Sequence, residues 1–174
     1  MKKVLSRKEF LTHIKGLKFR EWRGIVLHHT SKPDYSLFAK KPDCAYWLKV
    51  IDRVHRVSRK FKGIGYHFVI FPNGLIGLGR DVSEVGAHVK GHNSKFLGVC
   101  LLGNFNKDEM KEDQYISLWF VLTSLVVRLG LLPEQIWFHR DFAATDCPGE
   151  KLKREQIRNA VRRHIEEMKE WMKG

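Results

Sequence analysis

Three side chains that suit a single metal ion lie so far apart in this chain that only a folded domain could gather them. His28 lies near the end of the apolar run GIVLHHT (residues 24–30), while His139 and Cys147 belong to HRDFAATDCPG (residues 139–149). The intervals are 111 and 8 residues, so no local finger can form. Two imidazoles and a thiolate are ligands that suit zinc, and three protein ligands leave a fourth position open. That is the composition of a catalytic site, because structural zinc sites usually close all four positions. A closed site would need a further ligand such as Asp146 or His88. Adjacent residues of a strand point to opposite faces, so His28 and His29 cannot both face one ion.

The rest of the chain supplies elements able to build that domain. Ser6 and Glu9 form a capping-box pattern that opens a short helix, ended by Gly16. GIVLHH reads as a buried strand, followed by a polar loop from Ser31 to Asp43. Asp43 can cap a helix over residues 44–61 with Trp47, Ile51 and Val54 on its apolar stripe. YHFVIF, PNG and LIGLG (residues 66–79) read as a hairpin, with Pro72, Asn73 and Gly74 supplying its turn. GVCLL (residues 98–102) is a further buried strand. A long helix is expected from Asp108 to Leu129, with Tyr115, Leu118, Leu122, Leu125 and Leu129 on one face and Gly130 as its stop. IWF (residues 136–138) is a short strand that delivers His139. The last helix, residues 154–172, is expected to turn Ile157, Val161, Ile165, Met168 and Trp171 inward. Strands and helices alternate loosely, which predicts an α/β domain with a central mixed sheet and helices on both faces.

Composition bounds the partners. With 174 residues and 43% apolar content, the chain can bury one ordinary core. Its longest apolar stretch, around Leu118–Val127, is too short to span a bilayer. Charges at Arg7, Lys8 and Glu9 interrupt any apolar signal region, so synthesis in the cytoplasm without a signal peptide is expected. Cys100 sits in an apolar run as a free thiol, and a Cys44–Cys100 bridge is disfavoured in a reducing compartment. The net charge of +13 predicts attraction to a polyanion. No nucleic-acid recognition motif accompanies it.

Four ordered motifs, GIVLHHT (24–30), GIGYHFVIFPNG (63–74), GRDVSEVGAHVKGHNSKFLGVCLLGNF (79–105) and HRDFAATDCPG (139–149), resemble the zinc-dependent N-acetylmuramoyl-L-alanine amidases, a family that includes phage lysozyme-type amidases and peptidoglycan recognition proteins. The resemblance implies one domain over residues 1–174, with an N-terminal helical extension (1–21) and a catalytic core (22–170). It implies one zinc ion held by His28, His139 and Cys147, with Tyr66 and Thr145 as catalytic hydroxyls and His88 as a substrate-binding residue. His29 is then a packed or hydrogen-bonded core residue. Thr145 stands where some relatives carry lysine, so a hydroxyl replaces a charge at the oxyanion. The implied activity is cleavage of the amide joining N-acetylmuramic acid to L-alanine in peptidoglycan. The expected setting is phage-type lysis by a monomer reaching the wall after release, with the basic surface, above all the final helix, contacting anionic wall polymer or outer-membrane lipid. Two other readings are a recognition protein that binds muropeptides without cutting them and a cytoplasmic amidase that recycles soluble anhydro-muropeptides. The chain has no GxSxG and no HExxH motif.

Overall fold

Alternation within GIVLHH decides how the two sides of the sheet are used. The computed structural model describes residues 3–173, with side chains described through Glu170. Strand β2 (Gly24–His29) is buried along its whole length. Ile25 and Leu27 enter the main core cluster, whereas Val26 packs on the opposite face with Val89 and Phe96. His28 follows Val26 in this period of two and His29 follows Leu27. One histidine thus faces each side.

Six strands form one mixed sheet in the order β1-β4-β3-β5-β2-β6. These are β1 (Val4–Leu5), β2, β3 (Phe68–Ile70), β4 (Ile76–Leu78), β5 (Phe96–Leu101) and β6 (Ile136–Phe138). The centre is parallel, with β5 between β3 and β2 and β2 beside β6. The β3–β4 hairpin and the β1–β4 pair are antiparallel. The hairpin turn forms as expected: Gly74 takes a φ of +79°, a conformation a side chain would strain, and its N–H donates to the Phe71 carbonyl.

Helices α1 (Arg7–Lys15), α4 (Glu112–Leu129) and α5 (Arg154–Lys173) cover one face. Phe10, Ile14, Leu118, Leu122, Leu125, Ile157 and Val161 meet Ile25, Leu27, Val99 and Leu101 there. The other face carries α2 (Tyr35–Lys40) and α3 (Cys44–Val57), whose Phe38, Trp47, Leu48 and Ile51 pack on Val69, Phe71 and Cys100. The Ser6–Glu9 capping box opens α1. The N-terminal segment joins the sheet through the β1–β4 pair and buries Phe10 fully.

Several boundaries differ from the pattern-based expectation for local reasons. The loop before α3 contains α2, capped by the Asp34 carboxylate on the Leu37 N–H. Helix α3 stops at Val57, because Lys60 takes a φ of +58° and the Phe61 N–H turns back to the His55 carbonyl. Its stripe includes His55, while Val54 is exposed. Helix α4 starts at Glu112, since the Asp108 carboxylate instead accepts from the N–H groups of Asn104 and Tyr35. Tyr115 and Met168 are exposed rather than inward, and the Trp171 side chain lies outside those described. All three cysteines are free thiols. Among the described residues no helix is long and apolar enough to cross a membrane.

Candidate metal centre

The carboxyl ends of the parallel strands β2 and β6 place the first two histidines together. Leu27 pairs with Phe138, so His28 and His139 each lie one residue beyond a matched pair, and their ring centroids are 4.6 Å apart. After Phe138 the chain enters a tight turn, whose first N–H groups are partly satisfied by Asp141 reaching back to the Phe138 N–H (2.8 Å). The loop returning to Cys147 is held by Arg140, whose guanidinium donates to the carbonyls of Asp146, Gly149 and Leu152. The Arg140 N–H also donates to the Cys147 carbonyl at 3.0 Å. Arg140 was not singled out in the sequence, although its place directly after His139 was the available signal.

His28, His139 and Cys147 bring their donor atoms within 4.8 Å of one another, the grouping of this kind among the described residues. Cys147 Sγ is 3.7 Å from His28 Nδ1. Tetrahedral zinc with ordinary Zn–N and Zn–S bonds would separate such a pair by about 3.6 Å, so the donor set fits that ion. The Cys147 sulfur also accepts from the His29 N–H at 3.4 Å. Burial pushes its thiol up to about 11, eased by that bond. Burial lowers His28 well below its ordinary range, with the neighbouring His88 and His139 adding to it. Burial likewise lowers His139, assisted by the charge of Arg59. Both rings are therefore neutral at pH 7, as metal ligands must be. Arg59, just past α3, is a second residue near the site that sequence pattern did not reveal.

His29 faces the other side, where its Nδ1 accepts from the Phe105 N–H at 3.2 Å. Asp146, the other acidic residue of the motif, accepts from the Asn106 amide at 2.7 Å. The Tyr66 ring lies 5.1 Å from that of His28. Burial first, then the thiols of Cys100 and Cys147, raises its hydroxyl well above the usual range. It stays protonated and can act as a donor. Thr145 is partly exposed, and its oxygen accepts from the Cys147 N–H at 3.2 Å, which leaves its hydroxyl hydrogen free to donate.

His88, the residue expected to bind substrate, packs against His28 in the structure. His28 Nε2 lies 2.9 Å from His88 Nδ1, and His88 Nε2 lies 3.0 Å from the Phe96 carbonyl. Burial holds its pKa down to about 3. Asn93 fixes this loop by accepting from the N–H groups of His88 and Val89. His67 is internal, accepting from the Gly98 N–H and bonding the Glu84 carbonyl. Arg80 donates to the carbonyls of Ile64 and Val85.

Comparison with known proteins adds a lineage to this geometry. Residues 18–150 match the family model Amidase_2, described as N-acetylmuramoyl-L-alanine amidase. A human N-acetylmuramoyl-L-alanine amidase is 35% identical over 132 residues, covering 74% of this chain and 22% of the human protein. The chain thus matches under a quarter of that relative's length. An endolysin of Klebsiella phage KP32 is 38% identical over 94 residues, covering 52% of this chain and 62% of the endolysin. Among solved structures, the N-acetylmuramoyl-L-alanine amidase LysC from Clostridium intestinale superposes with a TM-score of 0.70 at 30% identity, covering 82% of this chain and 86% of that one.

Proposed function

The chain belongs to the N-acetylmuramoyl-L-alanine amidase family, and from that premise we propose that it hydrolyses the amide between N-acetylmuramic acid and L-alanine in peptidoglycan, using one zinc ion. The observation that carries this reading is the convergence of His28, His139 and Cys147 within 4.8 Å, on the face of the sheet where Tyr66 also stands. When bound, zinc supplies Lewis acidity and water activation at neutral pH. The protein's own share is orientation and hydrogen bonding. His28 and His139 present neutral imidazoles, and the Arg140-stapled loop holds the sulfur. Tyr66 donates its hydroxyl hydrogen to the oxygen that gains negative charge as the carbonyl becomes tetrahedral. Thr145, on the loop that carries Cys147, offers a second hydroxyl hydrogen. Water adds to the carbonyl carbon, one of its protons passes to the alanine nitrogen, and the carbon–nitrogen bond breaks to leave a lactyl carboxyl group and a free alanine amine.

We assign the setting to phage-type lysis, which the likeness to a phage endolysin supports. A contact with anionic wall polymer or outer-membrane lipid suits the net charge, but the final helix is a poor candidate for it. Arg154 pairs with Asp141, Arg162 with Glu134, and Arg158 is buried against the carbonyls of Ile136 and Glu134. The charge instead concentrates in residues 40–62, where eight Lys and Arg face two Asp, a net of +6 out of +13. All eight of these cations are exposed. Lys49, Arg53, Arg56 and Lys60 recur along α3 and its exit at helical spacing, and Arg59 leads from them toward His139.

The decisive experiment is release of new alanine amino termini from purified sacculi, with and without a chelator and then with zinc restored. Chelator-sensitive release that zinc recovers is the expected result. Peptidoglycan that binds and is returned intact would overturn the enzyme reading in favour of a recognition protein. Faster turnover of soluble anhydro-muropeptides than of sacculi would move the setting to recycling.

A further inference from the structure

His88 sits in a slot that the backbone has been cleared to make. A Cβ on Gly98 would stand 2.7 Å from His88 Cδ2, and one on Gly86 would stand 2.6 Å from the same atom. Real side chains do not approach that closely, so glycine at both positions is what admits the ring. Asn93 holds the His88 backbone from the third side. The residue is only 9% exposed, and both ring nitrogens already have protein partners. Little of it remains to meet a substrate.

The hydrogen-bond directions follow from one end of the chain of contacts. The Phe96 carbonyl can only accept, so His88 Nε2 carries the proton. The neutral ring then offers Nδ1 as an acceptor, which requires His28 Nε2 to be the donor. His28 is left with its lone pair on Nδ1, the atom that lies 3.7 Å from Cys147 Sγ. We propose that His88 is a positioning residue that fixes the tautomer and ring orientation of His28, relaying the Phe96 carbonyl to the metal-facing nitrogen. Partners of this kind on ligand histidines raise ligand basicity and restrict ring rotation, and their loss typically costs 10–100-fold in metal affinity. This inference rests on the metal-site reading above.

The test uses the full chain and two variants. His88→Phe fills the slot without an acceptor. His88→Gln restores one, since its amide can accept from His28 while donating to Phe96. Zinc affinity is measured by competition with a chromophoric chelator, and the His28 tautomer by nitrogen NMR of the metal-free protein. The expected result is His28 protonated on Nε2 in the native chain. In His88→Phe that preference is lost and zinc binds about 10–100-fold more weakly, while His88→Gln recovers most of both. Native zinc affinity with an unchanged tautomer in His88→Phe would overturn the proposal. A raised KM for muropeptide with unaltered zinc affinity would do the same and return His88 to the substrate. If the native chain binds no zinc, the metal reading fails, while the tautomer measurement still decides whether His88 orients His28. Should His88→Phe not fold, His88→Gln with the native chain carries the comparison: loss of the Nε2–H tautomer despite a competent acceptor would refute the relay.

Discussion

Replacing Gln114 with leucine should destabilise the domain by about 2–4 kcal/mol, although the two side chains are similar in size and Gln114 lies in the first turn of α4. The residue is fully buried, and its amide nitrogen donates to the carbonyls of Ile70 (2.8 Å) and Leu102 (3.0 Å), at the carboxyl ends of β3 and β5. Its oxygen accepts from the Tyr35 hydroxyl. These bonds do not count equally. The Ile70 carbonyl keeps the Leu102 N–H at 2.9 Å, and Tyr35, whose oxygen still accepts from the Lys111 N–H, is only half-buried and can turn its hydroxyl hydrogen to water. The Leu102 carbonyl loses its side-chain donor, and a buried group stripped of a partner costs about 1–3 kcal/mol. The two lesser losses add roughly 1 kcal/mol together, at the low end of net hydrogen-bond values. No cavity term enters, because leucine fills the space. At roughly 2–4 °C per kcal/mol for a chain of this size, the melting temperature should fall by about 4–16 °C. Urea denaturation followed by circular dichroism measures the difference directly. Gln114→Glu is the control for direction: it keeps the oxygen that Tyr35 reaches but aims a second acceptor at two carbonyls, so it should be worse than leucine. A loss below about 0.5 kcal/mol for leucine, or a milder effect for glutamate, would refute the assignment of donors and acceptors.

Other perturbations address the site and its surroundings. Tyr66→Phe should lower kcat by about 10²–10³-fold, the usual cost of removing one oxyanion donor, with zinc content and KM little changed; retained kcat would exclude Tyr66 from the chemistry. Cys147→Ala should lose both zinc retention and wall lysis, and full activity in that variant would rule out the proposed centre. Arg53→Glu combined with Lys60→Glu should reduce co-sedimentation with sacculi and flatten its salt dependence, while soluble muropeptide is turned over at the native rate; unaltered sedimentation would remove residues 40–62 as the contact. The Asp34 carboxyl is held well below the usual range by Lys107 first and by the Leu37 N–H next. A carboxyl with a depressed folded pKa stabilises above its unfolded value near 3.9 and loses that contribution as pH falls. Asp34→Asn should therefore cost stability at pH 7, and the gap from the native chain should narrow steadily below about pH 4; a gap independent of pH would show that charge plays no part.

Local chemistry made much of this protein legible before any fold was seen. The capping box at Ser6, the PNG turn and the glycine stop at Gly130 each depend on a few adjacent residues, so the sequence contains their whole cause. The period of two in GIVLHH is of the same kind, and it is why only one of His28 and His29 could face an ion. Where expectation and structure part, the cause lies across the fold. Asp108 reads as the start of α4, but Tyr35 and Asn104 recruit its carboxylate. Residues 154–170 read as a basic surface, yet acidic residues from distant segments pair with Arg154 and Arg162, and the exposed charge gathers around α3. His88 shows the division most sharply. Its motif marks it as a residue of the site, but whether it meets the substrate or the ring of His28 depends on Gly86, Gly98 and the Phe96 carbonyl. Sequence determined which side chains could form a metal centre and which strands would carry them. Only tertiary structure decided which nitrogen of His28 faces that centre, because a hydrogen-bond direction belongs to the partner brought up against it.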